Sequence, residues 1–219
     1  APETTFETPS TPDELTAAAA APAYQRFDVF ESTRGHVTPF IEGVSARCAL
    51  AGPGGRGKTA TAREVIRELK KEMGGVTVLT GECPSAMGNA YAPFQSALAR
   101  HFHVNLLMPG ANQMTHIDSA LDGIFESVVP FAEILFPPSE EDAMSASSEV
   151  EIFNAIGDTL RTLAKKQPVV LFIEDVQWID DASARLLSHL LELFPAGCAE
   201  RILFLATGRE EAGLAAAGF

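Results

Sequence analysis

The feature that most restricts the fold of this chain is an eight-residue segment rich in glycine. It satisfies the pattern G-x-x-x-x-G-K-[ST], in which glycines let successive backbone N–H groups turn toward a phosphate. The lysine of such a loop neutralises the β- and γ-phosphates, and the hydroxyl of the last residue binds Mg²⁺. The alternative is a glycine-rich turn that matches by accident. The candidate phosphate-binding residues are Gly52, Pro53, Gly54, Gly55, Arg56, Gly57, Lys58 and Thr59.

The segments on either side of this loop have the periodicities that a phosphate-binding loop requires. A short apolar strand, 47–51, precedes it, and a helix with one apolar face, 59–73, follows it. Apolar strands alternate with helices along the rest of the chain, which predicts an α/β fold with a parallel sheet covered by helices on both faces. Ser148 and Glu151 form a predicted capping box. The further predicted strands are 76–80, 168–173 and 202–206, and the further predicted helices are 93–102, 117–129 (broken near Pro130), 148–163 and 181–194.

A second motif couples an apolar strand to two carboxylates. The run Val169–Ile173 is followed directly by Glu174 and Asp175. In a Walker B element, one acid reaches Mg²⁺ through water, and a neighbouring acid orients or deprotonates the attacking water. The alternative is that Asp175 only caps a turn. Because a phosphate-binding loop is present in the same chain, we predict that Glu174 and Asp175 serve Mg²⁺ and the attacking water, and the division between them stays open.

Composition and charge exclude several other classes of protein. The 219 residues are 46% hydrophobic, enough to bury a core, yet no apolar run approaches the roughly 18 residues that a membrane span needs. With 16 basic and 29 acidic residues the net charge is −13, which disfavours direct binding to nucleic acid. Three scattered cysteines and the lack of a secretory signal predict a cytoplasmic location. Residues 1–23 are expected to form a flexible tail and 24–219 a single domain.

Three further segments resemble one family in the same order along the chain. Residues 174–183, which read Glu-Asp-Val-Gln-Trp-Ile-Asp-Asp-Ala-Ser, are similar to the DDLHWAD-x-S segment of STAND-type ATPases. Residues 81–83 and 89–94 are similar to the family's G-x-C … PYAPF stretch, and residues 207–209 to its T-Y-R sensor segment. These ATPases are AAA-related, origin-recognition-like domains, found in MalT-like and LuxR-type regulators and beside adenylyl cyclase domains.

The resemblance implies a P-loop NTPase fold with a helical insert before the Walker B strand. It also implies that the final strand lies between the P-loop and Walker B strands, and that the C-terminal part of the ATPase is incomplete in 24–219. The implied cofactors are ATP and Mg²⁺, with Thr59, Glu174 and Asp175 as metal-binding residues. Arg209 is either a catalytic sensor of the γ-phosphate or a surface charge at a strand end.

The implied function is Mg-ATP binding with slow hydrolysis, which acts as a conformational switch in a larger signalling or transcription regulator. The expected partners are ATP or ADP, attached regulatory or output domains, and further copies of the chain in nucleotide-dependent self-association, without a membrane. Two other functions stay open, namely a nucleotide-binding module without turnover and a small-molecule kinase. The insert from residue 84 to 166 is poor in the basic residues that a kinase lid carries, which favours the ATPase.

Other reactive or aromatic side chains are predicted to be structural. His101 and His103 provide too few ligands for a metal site. The resemblance implies that Cys83 is a packing residue, and the sequence offers no evident histidine partner for a catalytic thiol. Trp178 is expected to anchor the segment after the acidic strand by packing, and Arg56 is expected to face solvent.

Overall fold

Helices and strands alternate in the computed structural model, which describes residues 23–85, 89–107, 111–121, 127–138, 146–209 and 219. A 3₁₀ turn, Val176–Trp178, follows the third strand. The strands are β1 (Ala46–Ala51), β2 (Thr77–Glu82), β3 (Val169–Glu174) and β4 (Ile202–Gly208). The helices are α1 (Ala23–Ile41), α2 (Lys58–Glu72), α3 (Ala92–His101), α4 (Ala111–Ala120), α5 (Val129–Leu135), α6 (Glu149–Lys166) and α7 (Asp181–Leu193).

The four described strands form one parallel sheet in the order β1-β4-β3-β2. The last described strand, β4, therefore lies between β1 and β3, which confirms the strand position that the resemblance implies. Ala51 pairs with Gly208, and Glu82 pairs with Glu174. Because parallel strands present their carboxyl ends at one edge, the segments that follow β1, β3 and β4 meet there.

Side chains of the sheet alternate between two apolar clusters, one on each face. On one face, Val170 and Phe172 of β3 pack with residues of α1 and α2. On the other face, Val169, Leu171 and Ile173 pack with residues of the helices from α3 to α7. Since β3 is buried on both sides, its sequence is apolar without alternation. The predicted α/β fold, a P-loop NTPase sheet with helices on both faces, is confirmed.

The predicted helical insert lies between β2 and β3 and contains α3 to α6. The predicted capping box begins α6: the Ser148 hydroxyl accepts from the Glu151 N–H at 3.3 Å, and the Glu151 carboxylate accepts from the Ser148 N–H at 2.7 Å. The predicted extent of the helix 117–129 is wrong, because α4 ends at Ala120 and Pro130 lies in the first turn of α5. Proline is tolerated there, since the N–H that it lacks has no partner within the helix. Residues 122–126 of that prediction lie outside the described residues.

Among the described residues, helix α1 precedes the first strand. Its residues Val37 and Phe40 are fully buried and belong to the same apolar cluster as Val65 of α2. Most of the predicted tail, residues 1–22, lies outside the described residues. Within the described ranges, no helix combines the length and the apolar character needed to cross a membrane.

Candidate functional site

The glycine-rich segment forms a tight connection between β1 and α2. Gly52, Gly55 and Gly57 have φ angles of 145°, 75° and 80°, which other residues rarely adopt. Gly57 is the N-cap of α2, and no side chain caps the first turn of this helix. The N–H groups of that turn therefore point toward the loop together with the positive end of the helix dipole. A helix start of this kind is an arrangement that can bind phosphate, and phosphate binding by this loop stays a prediction.

Lys58 is the first residue of α2 and folds back over the loop. Its Nζ donates to the carbonyl oxygens of Gly52 at 2.7 Å and Pro53 at 2.9 Å. Thr59 follows as the second residue of the helix and is half-buried, while Arg56 is exposed as predicted. The loop thus brings an ammonium group and a hydroxyl-bearing residue to the same helix end.

Strand β3 delivers Glu174 to the carboxyl edge in a buried position, with 7% of the residue exposed. Both of its carboxylate oxygens accept from Nη2 of Arg63 in α2, at 3.0 and 3.3 Å. A buried carboxylate needs such a partner, because the charge loses its hydration when it leaves water. Sequence reasoning missed Arg63. The available indication was its position four residues after Thr59, on the same face of the helix.

Asp175 leaves the strand in the left-handed region, with a φ of 57°. Its N–H donates to Oγ1 of the fully buried Thr207 at 3.3 Å, and its Oδ1 accepts from Nε2 of Gln177 at 3.0 Å. The Oε1 of Gln177 in turn accepts from the backbone N–H of Arg209 at 2.9 Å. Asp175 is the N-cap residue of the following 3₁₀ turn, and its side chain makes no capping hydrogen bond there. These hydrogen bonds connect the acidic residue to the end of β4.

Thr207 and Gln177 were also missed as contact residues. Thr207 is a polar residue in the otherwise apolar strand β4, and this exception was the usable indication in the sequence. The position of Gln177 gave none, because its contacts depend on the turn after β3. Arg209 is the residue of this region that the sequence does predict as a site residue. It is exposed and lies directly after β4.

The oxygen donors at this edge fit Mg²⁺ when it is bound together with a nucleotide. Thr59, Glu174 and Asp175 offer hydroxyl and carboxylate oxygens, the ligands that this hard cation prefers. Magnesium usually takes one or two carboxylates and completes its shell with water and phosphate oxygens. Among the described residues, no group of three or more His, Cys, Asp or Glu side chains could hold a metal. The donor set therefore suits a metal–nucleotide complex better than a cage made by the protein alone.

Cys83 lies close to the acidic residues but is a core residue, as predicted. Burial raises the pKa of its thiol to about 12, with smaller contributions from the carboxylates of Asp180, Asp175 and Glu82. A thiol with this pKa stays neutral at physiological pH and is a poor nucleophile. The edge of the sheet thus contains acids and an inert thiol.

The prediction that Trp178 packs as an anchor is wrong, because 45% of this residue is exposed. The 3₁₀ turn buries Val176 instead. Asp180 in the same segment caps α7, where its Oδ1 accepts from the Ser183 N–H at 2.8 Å. Several residues of this segment therefore shape the connection between β3 and α7.

A cavity of about 540 Å³ lies along the outer edge of β1. It is lined by Ser32, Thr33 and His36 of α1 and by residues 47–51 of the strand. None of the predicted phosphate-binding or acidic residues is among the described residues that line it. The cavity therefore reaches the strand end that leads into the loop but is separate from the acidic residues.

The parallel sheet, the glycine loop at the start of α2 and the acidic end of β3 together define a P-loop NTPase domain. The sequence matches the AAA ATPase domain family over residues 31–205. The chain belongs to this family of ATPases. The roles of the individual site residues toward a nucleotide remain predictions.

Two solved structures resemble this chain at low sequence identity. Cdc6p from Pyrobaculum aerophilum is 13% identical, with 88% of this chain and 42% of that chain covered and a TM-score of 0.45. The ORC2 protein from Aeropyrum pernix, in ADPNP–ADP complexes, is 16% identical, with coverage of 87% and 42% and a TM-score of 0.47. The chain thus spans about two fifths of the length of each of these proteins. No curated protein sequence matches it.

Proposed function

We propose that this domain binds Mg-ATP and hydrolyses it slowly. The observation that carries the proposal is the meeting of the glycine turn, Lys58 and two acidic residues at one edge of a parallel sheet. The residues 52–59 hold the phosphates in this proposal. Thr59, Glu174 and Asp175 supply oxygen donors toward Mg²⁺, which when bound polarises the phosphate and neutralises its charge.

Two observations support slow turnover. Both oxygens of Glu174 accept from Arg63, and Oδ1 of Asp175 accepts from Gln177. These contacts within the protein therefore compete with a water molecule for the carboxylate oxygens. Arg209 is exposed, so its charge acts on the γ-phosphate through solvent, where stabilisation of developing charge is weak.

The hydrogen bonds between the acidic residues and β4 support a role as a conformational switch. A change at Asp175 alters Gln177, which holds the backbone of Arg209. We therefore propose a STAND-type switch in a larger cytoplasmic signalling or transcription regulator. Its partners in this proposal are ATP or ADP, attached regulatory or output domains, and further copies of the chain in nucleotide-dependent self-association.

The test combines calorimetric titration of ATP and ADP, with and without Mg²⁺, with a steady-state assay of phosphate release. We expect Mg-ATP binding and a turnover well below the median enzyme rate of about 10 per second. A folded chain that binds neither nucleotide would refute the site. Binding without any phosphate release would favour the module without turnover. Phosphate delivered to an added small-molecule acceptor would favour the kinase.

Self-association is tested separately by sedimentation velocity. We expect the sedimentation coefficient to differ between samples that contain ATP and samples that contain ADP. Identical coefficients over a wide protein concentration range would remove self-association from the proposal and leave nucleotide binding intact.

A further inference from the structure

Arg63 links the helix after the phosphate-binding loop to the acidic strand. It lies four residues after Thr59, and residues at this spacing are neighbours on one helix face. Its Nη2 reaches both oxygens of Glu174, which is 111 positions away in the sequence. The guanidinium therefore lies beside one predicted magnesium-binding residue and is one helical turn from another.

The two members of this ion pair differ greatly in exposure. The Glu174 side chain is 10% exposed, whereas the Arg63 side chain is 67% exposed. Glu174 cannot turn to solvent from its place at the end of a buried strand. Arg63 can turn into water and regain hydration there. If the pair separates, Arg63 is the member that moves.

One further ion pair of α2 joins its Glu72 to Arg34 of α1, and the ion pairs within the helix are of a different kind. Arg67 pairs with Glu64 and Glu68, and Lys71 pairs with Glu68, all within one turn of the same exposed helix surface. Such solvent-exposed pairs contribute little to stability. Arg63 is the residue of this group whose carboxylate partner lies on β3.

We propose that Arg63 and the magnesium ion of a bound nucleotide are alternative counterions of Glu174. Arg63 releases the carboxylate when the metal–nucleotide complex binds, and its presence lowers the affinity of the site for the metal. Two reasons support exclusion: both oxygens of Glu174 already accept from Arg63, and a cation beside a divalent ion is repelled by it. This inference rests on the proposed function and adds a determinant of metal affinity to it.

The experiment compares the wild-type chain with Arg63→Gln, and with Arg67→Gln as the matched control on the same helix. Mn²⁺ is the probe, and free Mn²⁺ is measured by electron paramagnetic resonance in the presence of saturating ADP. ADP binding without metal is measured by calorimetry in EDTA.

We expect Arg63→Gln to bind Mn²⁺ about tenfold more tightly, the order expected when one positive charge is removed near a divalent ion in a solvent-screened site. ADP affinity in EDTA should stay within about threefold, because the phosphates act on Arg63 only at a screened distance. Arg67→Gln should change neither constant by more than about twofold.

An unchanged or weaker Mn²⁺ affinity in Arg63→Gln, with normal ADP binding in EDTA, would overturn the counterion exchange alone. A folded wild-type chain that binds neither ADP nor ATP, in EDTA or with Mg²⁺, would overturn the proposed function, and this inference with it. The two failures are therefore separated by whether nucleotide binding is retained.

A double-mutant cycle with Glu174→Gln tests whether the effect passes through the carboxylate. We expect Arg63→Gln to tighten Mn²⁺ binding by less than about threefold in the Glu174→Gln background, because only the direct repulsion between Arg63 and the metal is removed there. A tightening of about tenfold that persists in that background would show a general charge effect and overturn the inference. Arg63→Lys, which keeps the charge but loses the planar fork, guards against a folding defect and should bind Mn²⁺ with intermediate affinity.

Discussion

The two halves of the candidate site are built in different ways. The phosphate-binding half is the continuous segment 52–59, and Lys58 makes its contacts with carbonyl groups of that same segment. The acidic half is assembled from α2, β3, the 3₁₀ turn and β4. The Asp175–Thr207 hydrogen bond joins residues that are 32 positions apart, and the Arg63–Glu174 pair joins residues that are 111 positions apart. The first half thus depends on local backbone conformation. The second half depends on how the sheet and its helices pack.

If the acidic half depends on packing, a change in the sheet that leaves every site residue intact should damage it. Gly81 of β2 pairs with Ile173, and a Cβ added there would lie 2.1 Å from the Pro93 carbonyl oxygen of α3. We expect Gly81→Ala to lower the free energy of unfolding by at least about 3 kcal/mol, since backbone must shift to relieve the clash. Urea denaturation measures this difference.

Gly35→Ala is the matched control, because the position lies in α1 with open space around the added Cβ. We expect it to stabilise the protein by about 0.5–1 kcal/mol through helix propensity. Equal denaturation midpoints for the two glycine variants would contradict the close approach of β2 and α3.

The next largest effect is expected on chemistry. Glu174→Gln and Asp175→Asn should each lower the hydrolysis rate by at least about 100-fold, the scale of a lost general base or oriented water. Nucleotide binding should be largely retained, because the phosphates contact the other half. Steady-state phosphate release and calorimetry separate the two quantities.

Asp158→Asn is the control, since this carboxylate lies on the exposed surface of α6. It should hydrolyse ATP at the wild-type rate. If both acid variants also turn over at that rate, the Walker B interpretation of β3 is wrong.

A substitution in the phosphate-binding half should instead affect nucleotide binding. Lys58→Ala should weaken Mg-ATP binding by about 2–3 kcal/mol, the value of charge-assisted contacts to phosphate. Lys70→Ala, in the last turn of the same helix, is the control and should bind normally. Wild-type affinity in a folded Lys58→Ala protein, measured by calorimetry, would refute the P-loop assignment.

A smaller effect is expected when the hydrogen bond between Asp175 and β4 is removed from the acidic half. Thr207→Val keeps the shape of the buried side chain but removes the acceptor of the Asp175 N–H. We expect a loss of about 1–2 kcal/mol in unfolding free energy, the cost of an unpaired buried donor. Thr38→Val, at an exposed position of α1, should cost less than about 0.5 kcal/mol. Equal thermal midpoints would show that this bond contributes nothing.

The smallest effect is expected at Arg209. Its contact with Gln177 uses the backbone N–H, which Arg209→Ala retains. Only a solvent-screened charge is lost, so hydrolysis should fall by about threefold and binding by less. Single-turnover assays measure the first quantity. A fall in binding that exceeds the fall in rate would mean that Arg209 contacts the nucleotide mainly in the ground state.

The sequence predicts the conformation of the phosphate-binding half and the α/β fold well. Three predicted features depend only on residues that are close together in the sequence. They are the glycine pattern at 52–59, the apolar run before Glu174 and the Ser148–Glu151 cap. The order of the strands came from the resemblance to a family and agrees with the structure. Short-range patterns of this kind determine local conformation because backbone sterics and capping act over one or two turns.

The contacts of the acidic half could not be predicted in the same way. The Arg63–Glu174 pair and the Thr207 acceptor depend on which elements become neighbours in the sheet. The exposure of Trp178 depends on the 3₁₀ turn burying Val176 in its place. The apolar pattern of 117–129 does not show that one helix ends at Ala120, nor that Pro130 lies in the first turn of the next helix. Each of these differences lies at a position where contacts between distant elements, or the way the chain begins a helix, determine the conformation.

The exposure of Trp178 has a practical consequence. It is the one tryptophan in the 219 residues, and it follows Asp175 by three positions in the turn held by Gln177. Indole emission shifts in wavelength and intensity when the water around the ring changes. The unlabelled chain therefore carries its own optical reporter beside the acidic residues. Stopped-flow fluorescence can follow rearrangement of this turn in real time, without a modified nucleotide or an added dye.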